Sequence, residues 1–83
     1  NISIDQMILF GSQIRGTAKP WSDIDVAIVS KNLGKDSVDE YVTLRRLSRD
    51  IDLRIEPHPF SPQDFSVEED PFAFEIRRTG IPV

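Results

Sequence analysis

One short apolar run and two stretches with a period of two residues predict β-strands at three places. The first is MILF, residues 7–10, a run too short for a helix. The second is DIDVAIVS, residues 23–30, which alternates between its two sides and carries acidic residues only at its start. The third is IDLRIE, residues 51–56, and we expect Pro57 and Pro59 to end it.

Apolar residues at helical spacing predict two longer helices. One is SVDEYVTLRRLSR, residues 37–49, where Ser37 followed three positions later by Glu40 is a capping-box pattern. The other lies within DPFAFEIRRTG, residues 70–80, which begins with an aspartate N-cap and a proline at the first helical position. Gly80 follows its last turn, as is typical of helix C-termini.

The remaining segments are interpreted as loops. Residues 11–22 hold two glycines, one proline and two serines, with space for one helical turn after Ser12. SPQDF, residues 61–65, fits a turn or a short helix. The order strand, loop, strand, helix, strand, helix predicts a single α/β (α+β) domain over residues 1–83. We expect a small mixed sheet with helices on at least one face.

Composition narrows the classes of function. The 83 residues carry 10 Lys and Arg against 14 Asp and Glu, a net charge of −4. This negative net charge argues against a nucleic-acid-binding surface, which needs a basic face, but it is compatible with a cation-binding site. The chain has no cysteine, which excludes disulfides and thiolate metal sites. No apolar run approaches the roughly 18 residues of a membrane span, and we expect a cytoplasmic protein.

Two carboxylates at the start of the second predicted strand are the first candidate for chemistry. Asp23 and Asp25 would share one face, about 6.5–7 Å apart. Asp52 lies on the polar side of the third predicted strand, so three carboxylates would converge if the strands were neighbours. Mg²⁺ is the natural compensation for such a cluster. Glu56 lies on the same face as Asp52 and is the competing third carboxylate, although it adjoins the expected strand end.

The Gly11-Ser12 pair supplies the complementary half of a site. A glycine directly after a strand lets the backbone approach a ligand closely, and the N–H groups that follow favour an anion. Arg15 could contact a phosphate or bridge to an acidic neighbour, and the sequence leaves both interpretations open. His58, between two prolines, is expected in a surface loop.

The combination of these motifs resembles a known signature. Gly11-Ser12, ten intervening residues and then Asp23-Ile24-Asp25 resemble the DNA polymerase beta-like nucleotidyltransferase superfamily. The flanking LFGS…RG…SDID is similar to its minimal nucleotidyltransferases (the MNT-type antitoxins), and the resemblance extends through DPFAFEIRRTGI.

The resemblance implies a polymerase beta-like nucleotidyltransferase fold and a role for each motif. Asp23 and Asp25 would hold two magnesium ions, with Asp52 as the third carboxylate, which deprotonates or orients the attacking hydroxyl. Gly11 and Ser12 would hold the triphosphate, and we place Arg15 with them as nucleotide-binding. The reaction would move a nucleoside monophosphate, most often AMP from ATP, to a hydroxyl and release pyrophosphate.

The resemblance also implies a partner. Minimal members are similar to antitoxins of small helical HEPN-type proteins, which some of them adenylylate on tyrosine. We expect the helix that usually precedes the first strand to be absent or trimmed, and we expect no helical substrate-binding domain to follow. We therefore expect a partner chain or self-association to complete acceptor recognition. Two alternatives stay open: a non-catalytic partner-binding antitoxin module, and transfer to a small hydroxyl compound.

Overall fold

The computed structural model describes residues 3–35 and 37–83. Within them the chain forms four strands and four helices. Their order and bounds are β1 (Gln6–Phe10), α1 (Ser12–Arg15), β2 (Ile24–Val29), α2 (Ser37–Arg49), β3 (Ile55–Phe60), α3 (Pro62–Phe65), α4 (Pro71–Thr79) and β4 (Ile81–Pro82). The pattern predicted β1, β2, α2 and α4 and allowed short helices at α1 and α3. It placed the third strand too early and did not predict β4.

The strands form one mixed sheet in the order β3-β2-β1-β4. β2 and β3 are parallel, whereas β1 is antiparallel to both β2 and β4. The parallel pair requires a crossover connection, and α2 supplies it. The predicted mixed sheet is confirmed.

Both faces of the sheet are covered, because alternate residues of β2 contribute to two separate cores. α3 and α4 pack on one face and α2 on the other. The first core consists of Ile8, Phe10, Ala27, Val29, Phe65, Ala73 and Ile76. The second consists of Val26, Ile28, Leu33 and Leu44.

The third strand begins later than its alternation predicted. It runs through Pro57 and Pro59, so the expectation that these prolines end the strand is wrong. The Ile24 N–H donates to the Arg54 carbonyl (2.8 Å), and the Ser30 N–H donates to the Phe60 carbonyl (3.0 Å). Even-numbered backbone groups of β3 therefore face β2. The prolines are odd-numbered and face away from it, where a missing N–H costs no sheet hydrogen bond.

The two outer edges of the sheet share a property. At the start of β3, the outward N–H of Ile55 donates to the Asp52 carbonyl (3.1 Å), and the two prolines follow. At β4 the Gly80 N–H donates to the Ile76 carbonyl (2.8 Å), and the outward residue is Pro82. In the described strands, neither edge therefore presents an unused outward N–H. Such edges resist pairing with other strands.

The contacts at the two ends of α4 explain why aspartate precedes this helix and glycine follows it. The Asp70 carboxylate accepts hydrogen bonds from the N–H groups of Phe72 (2.9 Å) and Ala73 (3.4 Å), as predicted for the N-cap. Gly80 follows the helix but is extended (φ −72°), not left-handed. A side chain there would place Cβ 2.4 Å from Cγ2 of Ile8, so glycine is needed for close packing against β1.

The start of α2 is joined to the loop before it by the side chain of Glu40. The capping box relied on the Ser37 side chain, which lies outside the described residues. The Glu40 carboxylate accepts hydrogen bonds from the N–H groups of Gly34 (2.8 Å) and Lys35 (3.0 Å), and so ties the preceding loop to the helix. Across residues 3–35 and 37–83, no helix has the length and apolar character needed to cross a membrane.

Candidate active site

A glycine turn at the end of β1 forms the first wall of the site. Gly11 has φ 83° and ψ −151°, a backbone conformation that essentially only glycine adopts. A Cβ atom at this position would lie 2.4 Å from Oδ2 of Asp25. The absence of a side chain therefore lets the turn that leads into Ser12 and α1 lie directly against the Asp25 carboxylate.

Asp25 lies at the point where three strands meet the site. Its backbone is opposite Phe10 of β1 and Glu56 of β3. Its Oδ1 atom accepts a hydrogen bond from Nε2 of His58 at 3.1 Å, and both side chains are partly exposed. Asp23 is exposed and lies two residues before Asp25, which is the spacing of neighbouring residues on one face of a strand.

Glu56 is held by two residues of α2. The Tyr41 hydroxyl donates to Oε1 of Glu56 at 2.7 Å, and the Arg45 guanidinium lies 3.0 Å from Oε2. The hydrogen bond to Glu56 raises the pKa of Tyr41 above 10.0, with smaller contributions from burial and from the charges of Glu56 and Asp23. The hydroxyl therefore stays protonated at neutral pH and acts as a donor to Glu56.

Asp52 lies in the turn before β3 and not in a strand. Its carboxylate binds the Arg54 guanidinium (2.9 and 3.2 Å) and the Arg54 N–H (2.8 Å). The hydrogen bonds from Arg54 lower the pKa of Asp52 from 3.8 to about 2. The expected strand over 51–56 is wrong because this local turn replaces it. The structure consequently places Glu56, and not Asp52, opposite Asp25.

His58 is a site residue that the sequence pattern missed. It was expected in a surface loop, but it lies within β3 and packs edge-on against Phe10 and Phe72, with ring centroids 5.0 and 5.6 Å away. The alternation Glu56-x-His58 was the available signal, because His58 has the same parity along β3 as Glu56, the residue opposite Asp25. The flanking prolines indicated the end of the strand, so the alternation was not extended to His58.

A cavity of about 270 Å³ opens between α4 and the ends of β1 and β2. Three residues predicted for the site, Gly11, Arg15 and Asp25, line it together with His58. The full lining is Phe10, Gly11, Arg15, Asp25, His58, Phe72, Glu75, Ile76 and Thr79. One guanidinium and two carboxylates thus border the cavity beside apolar side chains, whereas Ser12, Asp23 and Asp52 lie outside its lining.

The carboxylates fit a magnesium ion in their chemistry. Among the described residues, no three His, Cys, Asp or Glu side chains are grouped closely enough to hold a metal ion as they stand. Asp23, Asp25 and Glu56 nevertheless offer carboxylate oxygens only, the ligand type that Mg²⁺ prefers. Asp23 and Asp25 would hold the ion, whereas the Glu56 side chain is held by Tyr41 and Arg45 of α2.

Comparison with known proteins gives two findings. A family model described as "Nucleotidyltransferase domain" matches residues 1–77. A protein of Methanocaldococcus jannaschii, provisionally named as a protein adenylyltransferase (MJ1305), is 38% identical over 66 residues. That match covers 75% of this chain but 45% of the relative, so the chain spans about half the length of the relative.

Proposed function

We propose that this chain, which belongs to the nucleotidyltransferase domain family, is an enzyme that transfers AMP from ATP to a hydroxyl group in a Mg²⁺-dependent reaction. The observation that carries the proposal is the contact between the Gly11 turn and the Asp25 carboxylate. It brings a turn suited to phosphate against a carboxylate suited to a metal. Phosphoryl transfer requires these two elements side by side.

The nucleotide would lie in the cavity beside Gly11. The triphosphate contacts the turn at Gly11 and Ser12, and Arg15 binds a phosphate oxygen. The position of Arg15 in the cavity lining supports this role. Asp23 and Asp25 hold the Mg²⁺ ions. When bound, these ions neutralise the charge that develops on the phosphates.

We assign the third carboxylate to Glu56. The Tyr41 hydroxyl already donates to Glu56 at 2.7 Å, so this carboxylate accepts a hydrogen bond from a hydroxyl at this place. In the reaction the acceptor hydroxyl takes the position of Tyr41 and gives its proton to Glu56. Its oxygen then bonds to the α-phosphorus, and the bond to pyrophosphate breaks. Asp52 forms an ion pair with Arg54 and is not the residue opposite Asp25.

Nucleotide binding by the wild type and by two aspartate variants tests the proposal. Calorimetry with a non-hydrolysable ATP analogue should show Mg²⁺-dependent binding, weakened roughly 10-fold or more in Asp25→Asn. Asp52→Asn is the matched control, because it neutralises a nearby carboxylate that is paired with Arg54. Binding without Mg²⁺ dependence, or undiminished in Asp25→Asn, would refute the proposal.

A catalytic assay separates the two candidates for the third carboxylate. With ATP and Mg²⁺ we expect Glu56→Gln to slow pyrophosphate release by about 10²- to 10⁴-fold, the usual loss for a general base. Asp52→Asn should stay within about threefold of wild type. The reverse order would return the role to Asp52.

We propose a protein as the acceptor. The name of the M. jannaschii relative describes protein adenylylation, and the resemblance implies a HEPN-type helical partner in an antitoxin system. Apolar side chains on α2 are exposed and suit such a contact: Val38 is 75% and Leu47 59% exposed. Labelled AMP that appears on a co-expressed partner would support this assignment. Label on a small product would favour small-molecule transfer.

Neutralisation of a partner without chemistry is the non-catalytic alternative. A variant with Asp23, Asp25 and Glu56 all changed to alanine removes the two proposed metal ligands and the proposed base together. If it still neutralised the partner fully in the absence of ATP, the chain would act by binding alone.

A further inference from the structure

We infer that His58 is a positioning residue that holds Asp25 in the orientation required for metal binding. The two carboxylate oxygens of Asp25 have different neighbours. Oδ1 faces Nε2 of His58 at 3.1 Å, whereas Oδ2 lies against the Gly11 turn. Since a carboxylate only accepts hydrogen bonds, Nε2 must carry the proton. The hydrogen bond therefore occupies one oxygen and leaves Oδ2 towards the phosphate turn.

The histidine ring is itself held in place by its neighbours. Phe10 and Phe72 both contact it edge-on, at 5.0 and 5.6 Å between centroids, and contact each other at 5.6 Å. Phe10 directly precedes Gly11, and Phe72 belongs to α4. The position of the imidazole is thus fixed by β1 and α4 as well as by its own strand.

The strand register explains how His58 reaches Asp25. The residue directly opposite His58 is Ala27, and Asp25 is opposite Glu56, two residues back along the chain. Ala27 is fully buried and carries only a methyl group, so it leaves space for the imidazole to lean diagonally towards Asp25. A larger residue at position 27 would fill this space.

The inference rests on the proposed function, because it concerns the metal affinity of Asp25. Groups that donate to a metal-binding carboxylate fix its rotamer, and removing them typically weakens metal binding by about 10- to 100-fold. We expect a loss of this size when the His58 hydrogen bond is removed and little loss when it is replaced.

Two substitutions separate the hydrogen bond from the packing of the ring. His58→Phe keeps an aromatic ring between Phe10 and Phe72 but has no N–H for Asp25. His58→Gln gives up the aromatic packing but keeps an N–H donor of similar reach. Mn²⁺ binding to the protein in the presence of an ATP analogue can be measured by electron paramagnetic resonance. We expect it to be about 10-fold weaker in His58→Phe than in wild type. In His58→Gln it should stay within about threefold of wild type.

Controls keep the outcomes distinct. Circular dichroism melting checks that each variant folds. Nitrogen-15 NMR of wild-type His58 at mildly alkaline pH needs no variant and should show the proton on Nε2. A proton on Nδ1, or His58→Phe binding Mn²⁺ as tightly as wild type, would overturn this inference alone. Failure of wild type to bind Mn²⁺ at all would overturn the proposed function and this inference with it.

Discussion

Gly11 is required for two independent reasons, its backbone conformation and its closeness to Asp25. We expect Gly11→Ala to lower the free energy of unfolding by about 1–3 kcal/mol and to abolish nucleotide binding, since its Cβ would displace the carboxylate. Gly16→Ala is the matched control: its φ is also positive (75°), but nothing lies within 4 Å of its Cβ. It should destabilise by about 1–2 kcal/mol and leave binding intact. Urea denaturation and calorimetry measure both effects.

The pairing of Asp52 with Arg54 predicts a contribution to stability that depends on pH. The pKa of Asp52 is lowered from 3.8 to about 2, so its charged form stabilises the fold above pH 3.8. That contribution disappears as the pH falls from 3.8 towards 2. Over this range wild type should therefore lose more stability than Asp52→Asn, as followed by denaturant unfolding. An equal loss in both would contradict the pairing, and Asp50→Asn serves as the control.

Individual residues differ in how far the sequence could predict their place in the site. Gly11, Arg15 and Asp25 were predicted from a motif and its spacing, and the structure brings them to one cavity. The position of Glu56 opposite Asp25 and the placement of His58 depend on the pairing of β2 with β3. Alternation along one strand does not determine which residue lies opposite on the next.

At the scale of secondary-structure elements, the predicted N-cap of α4 is confirmed. Asp70→Ala should lower the free energy of unfolding by about 1 kcal/mol, because two N–H groups at the start of α4 lose their acceptor. Asp70→Asn should retain most of that stability, as asparagine caps equally well. Urea denaturation of the three proteins checks this order, and an equal loss in both variants would show that the charge matters more than the cap.

The strands were harder to predict than the helices. β1 and β2 followed from apolar runs, but β4 has only two residues and therefore no period to detect. The start of β3 was misplaced because the Asp52 turn imitates alternation, and its end was misplaced because prolines usually end strands. Only the position of β3 at the edge of the sheet makes those prolines acceptable.

At the scale of the whole molecule, α4 is attached to the sheet through a small core. An 83-residue domain has about 4–12 kcal/mol of stability, and Ile76, 1% exposed, lies at the centre of the first core. Ile76→Ala should cost about 2–5 kcal/mol, and Ile76→Val about 0.5–1.5 kcal/mol. Because α4 also carries Phe72 of the cavity wall, we expect the alanine variant to weaken nucleotide binding as well. Denaturant unfolding and calorimetry on the same samples test both effects.

The prolines at the two edges of the sheet have a consequence for how copies of this molecule meet at high concentration. Two copies of the same strand edge can pair only if each edge both donates and accepts hydrogen bonds. The described outer positions of β3 and β4 can only accept them. Strand-to-strand polymerisation between folded copies is therefore blocked at its first step. Apolar side chains can therefore stay exposed on α2 for contact with a partner, while the edges of the sheet do not nucleate fibrils.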